Sequence, residues 1–234
     1  LGSNKQTSPG ILFDPTGTAN YGTNDLLLPG TPYEGFFITS SGGNYQSTNI
    51  KVTGPLTSFA TFGLTQNAAN SVTATSTSLD GLLGISSLYT LTTVSGRAAI
   101  EITTTLVNHS TAALNDLAFL RALDPDPDYS SNGSYDSVNV VLSADQACAE
   151  GAISTQAICI FSTSPFSHQS GVSTSLWEVS PASYLGGING GNGDNLIGVG
   201  FNLGTLGAGG SLTFTYGYAL GETLAIASTL PTGG

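Results

Sequence analysis

Short β-branched and alternating segments, cut apart by Gly, Asn, Pro and Ser, run the whole length of this chain, and nowhere does a 3.6-residue apolar period last long enough for a helix of three turns. Segments 36–39, 50–53, 58–65, 71–78, 87–94, 98–108, 115–123, 137–143, 158–162, 196–203 and 211–220 read as strands. Two pairs read as hairpins, one turning through Ser95-Gly96 and one through 204–210, where glycines supply the positive φ values a tight connection needs. About eleven strands with no repeat of about 40–50 residues favour an all-β fold over a propeller, specifically a large antiparallel β-sandwich with long Gly/Asn/Asp-rich loops. The expected division is an extended N-terminal segment over 1–10, a single ligand-binding sandwich over 11–225 and a C-terminal tail or linker over 226–234.

Charge narrows the function. Only 8% of the 234 residues are charged, against about a quarter in an average domain, and 15 acids face 4 bases for a net charge of −11. Phosphate recognition needs Lys and Arg surfaces that four residues cannot build, so nucleic acid is excluded as a partner, and an anionic membrane surface is disfavoured for the same reason. No run of 18 apolar residues is present to span a bilayer, and the first nine residues lack the basic and apolar regions of a signal peptide, so an export signal is expected to lie elsewhere or to have been removed. Ser, Thr, Gly and Asn carry the surface, as in many extracellular β proteins. Cys148 and Cys159, the only two cysteines, cannot make a zinc site alone, and a disulfide closing their short loop is the preferred reading. It would contribute about 2–3 kcal/mol by loop entropy.

Into this charge-poor background the chain sets Asp124-Pro125-Asp126-Pro127-Asp128. Alternation on an extended backbone, which the prolines favour, sends the three carboxylates to one side. Unpaired they would raise one another's pKa, whereas a Ca²⁺ ion accepts six to eight oxygen ligands in flexible geometry. The spacing is that of an EF-hand loop, but Tyr129 stands where the turn glycine belongs and Tyr135 where the bidentate Glu belongs. Ser130, Ser131, Asn132, Gly133, Ser134 and Asp136 follow as a loop with further oxygen donors. A solvated acidic turn is the plainer alternative. The glycine-rich run from Gly186 to Asn195 is a loop, and its Asp194, Asn192 and Asn195 are a second source of cation or ligand contacts.

Three stretches carry a resemblance: Leu28-Pro29-Gly30-Thr31-Pro32-Tyr33-Glu34-Gly35-Phe36, Phe119-Leu120-Arg121-Ala122-Leu123 running into the Asp-Pro motif, and Gly191 to Leu206. Together they resemble the peptide-binding domain of large bacterial RTX biofilm adhesins, over about residues 11–225. The resemblance implies an all-β sandwich, exported to the cell surface, that uses bound Ca²⁺ to grip peptide ends. It would place Asp124, Asp126 and Asp128 at the core of the ion site, with Asp194 from the facing loop, and would let Arg121 pair with those carboxylates or with a ligand carboxylate through its planar fork. A simple ion pair is the alternative role for Arg121.

Catalysis is not expected. His109 and His168 stand in no hydrolase or metalloprotease motif, and nothing marks two of the five glutamates as a glycosidase pair. The leading expectation is therefore a Ca²⁺-dependent extracellular binding or adhesion module, with a protein or peptide ligand on another cell surface. A self-assembling surface-layer or filament subunit, binding copies of itself, is the first alternative. A carbohydrate-binding module that stacks sugars on Tyr129, Tyr135, Trp177 or Tyr184 is the second.

Overall fold

Alternation of side chains across the pleat sorts the residues of this chain into two layers. In the computed structural model, which describes residues 10–14, 16, 18, 25–27, 34–48, 56–94, 96–175 and 180–228, strand β7 (Arg97–Asn108) buries Ile102, Thr104, Leu106 and Asn108 and turns Glu101, Thr103 and Thr105 outward. The strand expected over 50–53, residues 1–9, Trp177 and the last six residues lie outside the described set.

Fourteen strands are described, more than the eleven expected: β1 (Glu34–Ser40), β2 (Gly43–Thr48), β3 (Thr57–Ser58), β4 (Gly63–Ala68), β5 (Ser71–Thr77), β6 (Leu83–Val94), β7, β8 (Leu114–Leu123), β9 (Ser137–Ser143), β10 (Gln146–Gly151), β11 (Ala157–Ser162), β12 (His168–Ser173), β13 (Leu196–Leu206) and β14 (Ser211–Gly221). They form a six-stranded sheet in the order β12-β13-β8-β1-β2-β3 and an eight-stranded sheet in the order β4-β5-β6-β7-β14-β11-β10-β9. All pairings between them are antiparallel except β2 with β3. Among the described residues the three helices, α1 (Tyr129–Asn132), α2 (Pro181–Leu185) and α3 (Leu224–Ala227), are single turns. Among the described residues no helix is long and apolar enough to cross a membrane.

One core fills the space between the sheets. Phe119 on β8 meets Phe214 on β14 at 4.9 Å between ring centroids, and Phe201 on β13 meets Phe214 at 5.0 Å. Edge and tilted contacts of this kind add to the burial of large side chains. The outer faces are covered too. α2 lays Tyr184 over Leu120, Ala122 and Phe37, and Gly198 permits that approach, because a Cβ there would lie 2.6 Å from the Tyr184 ring. α3 lies over Cys148 and Cys159, which face each other directly in the β10–β11 ladder and are bonded.

Two expectations about connectivity are corrected. Segment 58–65 is not one strand: Phe59 and Phe62 turn inward against Phe36, at 5.3 and 6.3 Å, while the chain crosses from the six-stranded sheet to the eight-stranded one. Nor are β13 and β14 a hairpin. The pairing register of β13 with β8 shifts at Asn202, Gly204 and Leu206, and the chain passes through 207–210 into the other sheet, where β14 runs along nine positions of β7. The β6–β7 hairpin through Gly96 is present as expected. Strands β2, β10 and β12, which the sequence reading does not contain, are mostly Gly, Asn, Gln, Ser, Ala and His, with only Tyr45, Thr48 and Val172 of high β propensity, so pairing with better strands defines them.

Candidate metal centre

The end of β8 and the start of β13 are neighbours, with Leu123 opposite Ile197. The chain leaves β8 directly into Asp124 and Asp126 and reaches β13 through Asp194, so the adjoining ends of the two strands carry these acids. The adjacency of two central strands thus brings together two acids 68 positions apart. Asp124, Asp126 and Asp194 each offer a carboxylate oxygen within 4.8 Å of the others.

Each wall of the site is held by the backbone. The Asp126 N–H donates to the Leu26 carbonyl at 3.2 Å. Residues around Leu26 are fixed in turn by Asp25, whose carboxylate accepts the backbone N–H groups of Gly10, Ile11 and Leu27 at 2.9–3.0 Å. On the other side, the loop carrying Asp194 is tied to the start of β9: Gly193 and Ser137 exchange backbone bonds, Asn139 donates its amide to the Gly193 carbonyl at 2.9 Å, and the Asn192 side chain accepts the Asn139 N–H at 3.1 Å. Gly193 has φ of +124°, a conformation that side-chain-bearing residues rarely adopt.

Two of the three acids are buried, and Asp194 is half-buried. Asp124 is 5% exposed and Asp126 1%, and the Oδ1 atom of each has no hydrogen-bond partner. Burial, and then the charge of Asp194, push the Asp124 pKa up to about 7. Burial, then Asp124 and Asp194, push Asp126 up to about 8. Asp194 is raised by burial and by Asp136.

The remaining sequence candidates divide. Asp128 does not join the trio. The backbone leaves its extended path there and enters α1, with Asp128 at φ −94°, ψ −13°, and its carboxylate turns to accept the N–H groups of Ile153 at 2.7 Å and Ser154 at 2.8 Å. No proline follows Asp128 to hold it extended. Asp136 lies exposed beside Asp194 and outside the trio. Arg121 is corrected to its structural alternative. It is an odd-numbered position on β8 and points between the sheets, where it pairs with Glu34 and donates from Nε to the Tyr218 hydroxyl at 2.7 Å. Asn192 and Asn195 brace the glycine loop, Asn195 by donating to the Gly191 carbonyl at 2.9 Å. Asn132 is exposed on α1 and donates to Ser131. Tyr129 and Tyr135 stand together, with ring centroids 4.4 Å apart. The Tyr135 pKa is pushed up to about 12, first by a hydrogen bond with Tyr129, and the charges of Asp126 and Asp194 add to the shift.

Sequence reading did not find Leu26, Ser137 or Asn139. Each acts through a contact distant in the chain, and nothing in their local sequence signals it.

No protein-family model and no curated protein matches this sequence. Among solved structures the chain is similar to part of a bacterial glucoamylase complexed with acarbose, with a TM-score of 0.52 and 10% identity over 83% of this chain and 27% of that one. It is also similar, at a TM-score of 0.43 and 12% identity, to a putative aldose 1-epimerase from Escherichia coli K12, over 79% of this chain and 78% of that one. The first likeness is one of fold, and this chain spans 27% of the glucoamylase's length.

Proposed function

We propose that this domain is a Ca²⁺-dependent extracellular binding module whose ion is held by Asp124, Asp126 and Asp194 and offers its open coordination positions to a ligand. The observation that carries this reading is the pair of buried carboxylate oxygens, Asp124 Oδ1 and Asp126 Oδ1, left without a hydrogen bond in a group of three acids. A buried carboxylate without a partner is expensive, and a cation is the partner that would satisfy several at once. An all-oxygen donor set suits Ca²⁺, Mg²⁺ or Mn²⁺ and not the softer metals. Ca²⁺ fits best because it accepts irregular oxygen geometry, whereas Mg²⁺ demands a near-ideal octahedron. The Cys148–Cys159 disulfide supports an oxidising, exported setting.

Binding without catalysis is part of the proposal. His168 is held between the Phe166 carbonyl and Asp145, Glu34 pairs with Arg121, and the Glu150 carboxylate accepts the Leu224 N–H at 2.7 Å, so these groups have structural work. The resemblance to adhesin domains would make the ligand a peptide end.

Titration calorimetry of chelator-treated protein with CaCl₂ and MgCl₂ tests the ion. One site that prefers Ca²⁺, and that disappears in Asp126→Asn, is the expected result. The same heats in wild type and variant would remove the reading.

A further inference from the structure

The two sheets have four ends, and three of them offer no edge to another strand. β12 is capped by the chain at 188–190, where the Val172 N–H donates to the Ile188 carbonyl at 3.1 Å and the Val172 carbonyl accepts from Gly190 at 2.8 Å. β9 is capped by the loop of Asp194, with Ser137 and Gly193 exchanging backbone bonds and the Asn139 N–H donating to the Asn192 side chain. β3 has two residues, too short to template a strand. The end that remains is β4, six residues long and exposed at every position. We infer that β4 is a dimer interface, at which the β4 strands of two copies of this chain pair antiparallel about a two-fold axis and join their eight-stranded sheets into one.

Backbone chemistry calls for a strand. In an antiparallel ladder every second residue turns both its N–H and its C=O to the neighbour, and the residues between turn theirs away. β4 spends one set on β5, and among the described residues no backbone group bonds to the other set. Natural edges are blunted by charges, prolines or bulges that discourage an added strand. Gly63-Leu64-Thr65-Gln66-Asn67-Ala68 has no charge and no proline, and its register shift falls at the last step, between Gln66 and Ala68, so 63–66 stay regular.

Charge selects the chain's own copy. From residue 52 to residue 79 there is no Asp, Glu, Lys or Arg, and this run builds β3, β4 and β5. The loop of Asp194 is tied to β9, at the opposite end of the eight-stranded sheet, about 34 Å from β4 at about 4.8 Å per strand. Two molecules of net charge −11 repel through their acidic ends, whereas the β4 ends bring no like charges of that run together. The two most exposed large hydrophobic side chains among the described residues, Leu64 at 71% and Leu79 at 70%, stand at this same end. A two-fold axis normal to the sheet keeps each face with itself, so Leu64, which shares a face with Ala74, is set beside side chains of the second β4. β4 already forms a ladder with β5, so its sequence is a competent partner strand. Such a contact closes after two copies, giving a dimer and not a filament, and it does not involve the ion.

Sedimentation velocity of the purified chain, in CaCl₂ and in EDTA, tests this. We expect a monomer–dimer equilibrium, equal in both and free of larger species. Thr65→Lys, which sets like charges on both strands of the contact, should weaken dimerisation by about tenfold or more and leave the melting temperature of the dilute monomer unchanged. Pulsed electron resonance on nitroxide-labelled protein locates the contact. Labels on Thr75→Cys, an exposed position of β5, should lie within about 30 Å of each other, three strand spacings plus the tethers, and labels on Val138→Cys of β9 about 70 Å apart, fifteen spacings. A monomer at every concentration up to the solubility limit would overturn the interface. So would a dimer that Thr65→Lys leaves intact, polymers in place of a dimer, or a shorter distance at Val138 than at Thr75.

Discussion

Asp126 and Asp128 stand two residues apart in one motif, yet their carboxylates do opposite things. Asp128 accepts two backbone N–H groups from the turn after β10 and so helps hold the fold. Asp128→Ala should lower stability by about 1–3 kcal/mol in denaturant titrations, by the same amount in Ca²⁺ and in EDTA. Asp126 is the reverse case, a buried acid raised to about 8 by burial, Asp124 and Asp194. Replacing it with the neutral isostere, Asp126→Asn, should raise the melting temperature in EDTA at pH 8 by about 2–4 °C, the equivalent of about 1 kcal/mol for a domain of this size, while abolishing the increment that Ca²⁺ gives. A variant less stable than wild type in EDTA would show that Asp126 is satisfied by the protein and needs no ion.

At the scale of elements, the β10–β11 hairpin carries the cross-link. Cys148 and Cys159 are directly opposed, with a sequence separation of 11, and both are buried beneath α3. Closing so short a loop removes little unfolded-chain entropy, and the double variant Cys148→Ala, Cys159→Ala should lose about 3 kcal/mol in urea. Because the sulfurs are covered, alkylation of native unreduced protein should label neither, and mass spectrometry that finds two labelled thiols would refute the bond in the folded state. The segment from 189 to 195 is the other element with a task. Its bonds to Ser137 and Asn139 carry Asp194 to the ion site. Asn139→Ala should therefore weaken Ca²⁺ binding without touching a ligand atom.

For the whole molecule, the acid trio ties stability to pH. Asp124 and Asp126 titrate at about 7 and 8 when folded, against 3.8 for an ordinary aspartate. Between those values the folded state holds protons that the unfolded chain has released, so stability falls as pH rises through the window. Below about pH 4 both states are protonated and the effect is absent. Above the folded values it is complete. In EDTA the melting temperature should drop from pH 5 to pH 8 on account of these groups. Ca²⁺ must displace the same protons, so its stabilisation should grow over the same range. At free Ca²⁺ a hundredfold above Kd it amounts to about 2.7 kcal/mol. Calorimetry that shows a Ca²⁺ increment independent of pH would contradict the assignment of Asp124 and Asp126.

The sandwich class, most strand positions, the disulfide and the Asp-Pro motif were legible in the sequence because each is written in local chemistry: alternation of side chains, turn residues, two cysteines, clustered acids. Partners distant in the chain were not legible. No local signal could tell that β13 and β14 enter different sheets, that polar β2, β10 and β12 are strands at all, or that Asp128 turns away while Asp194 turns in. Those outcomes depend on which long strand offers the better ladder, on the adjacency of β8 and β13, and on the bonds between Gly193 and Ser137 that hold the loop carrying Asp194. The sequence supplied the acids, and the pairing of two central strands decided which three of them meet.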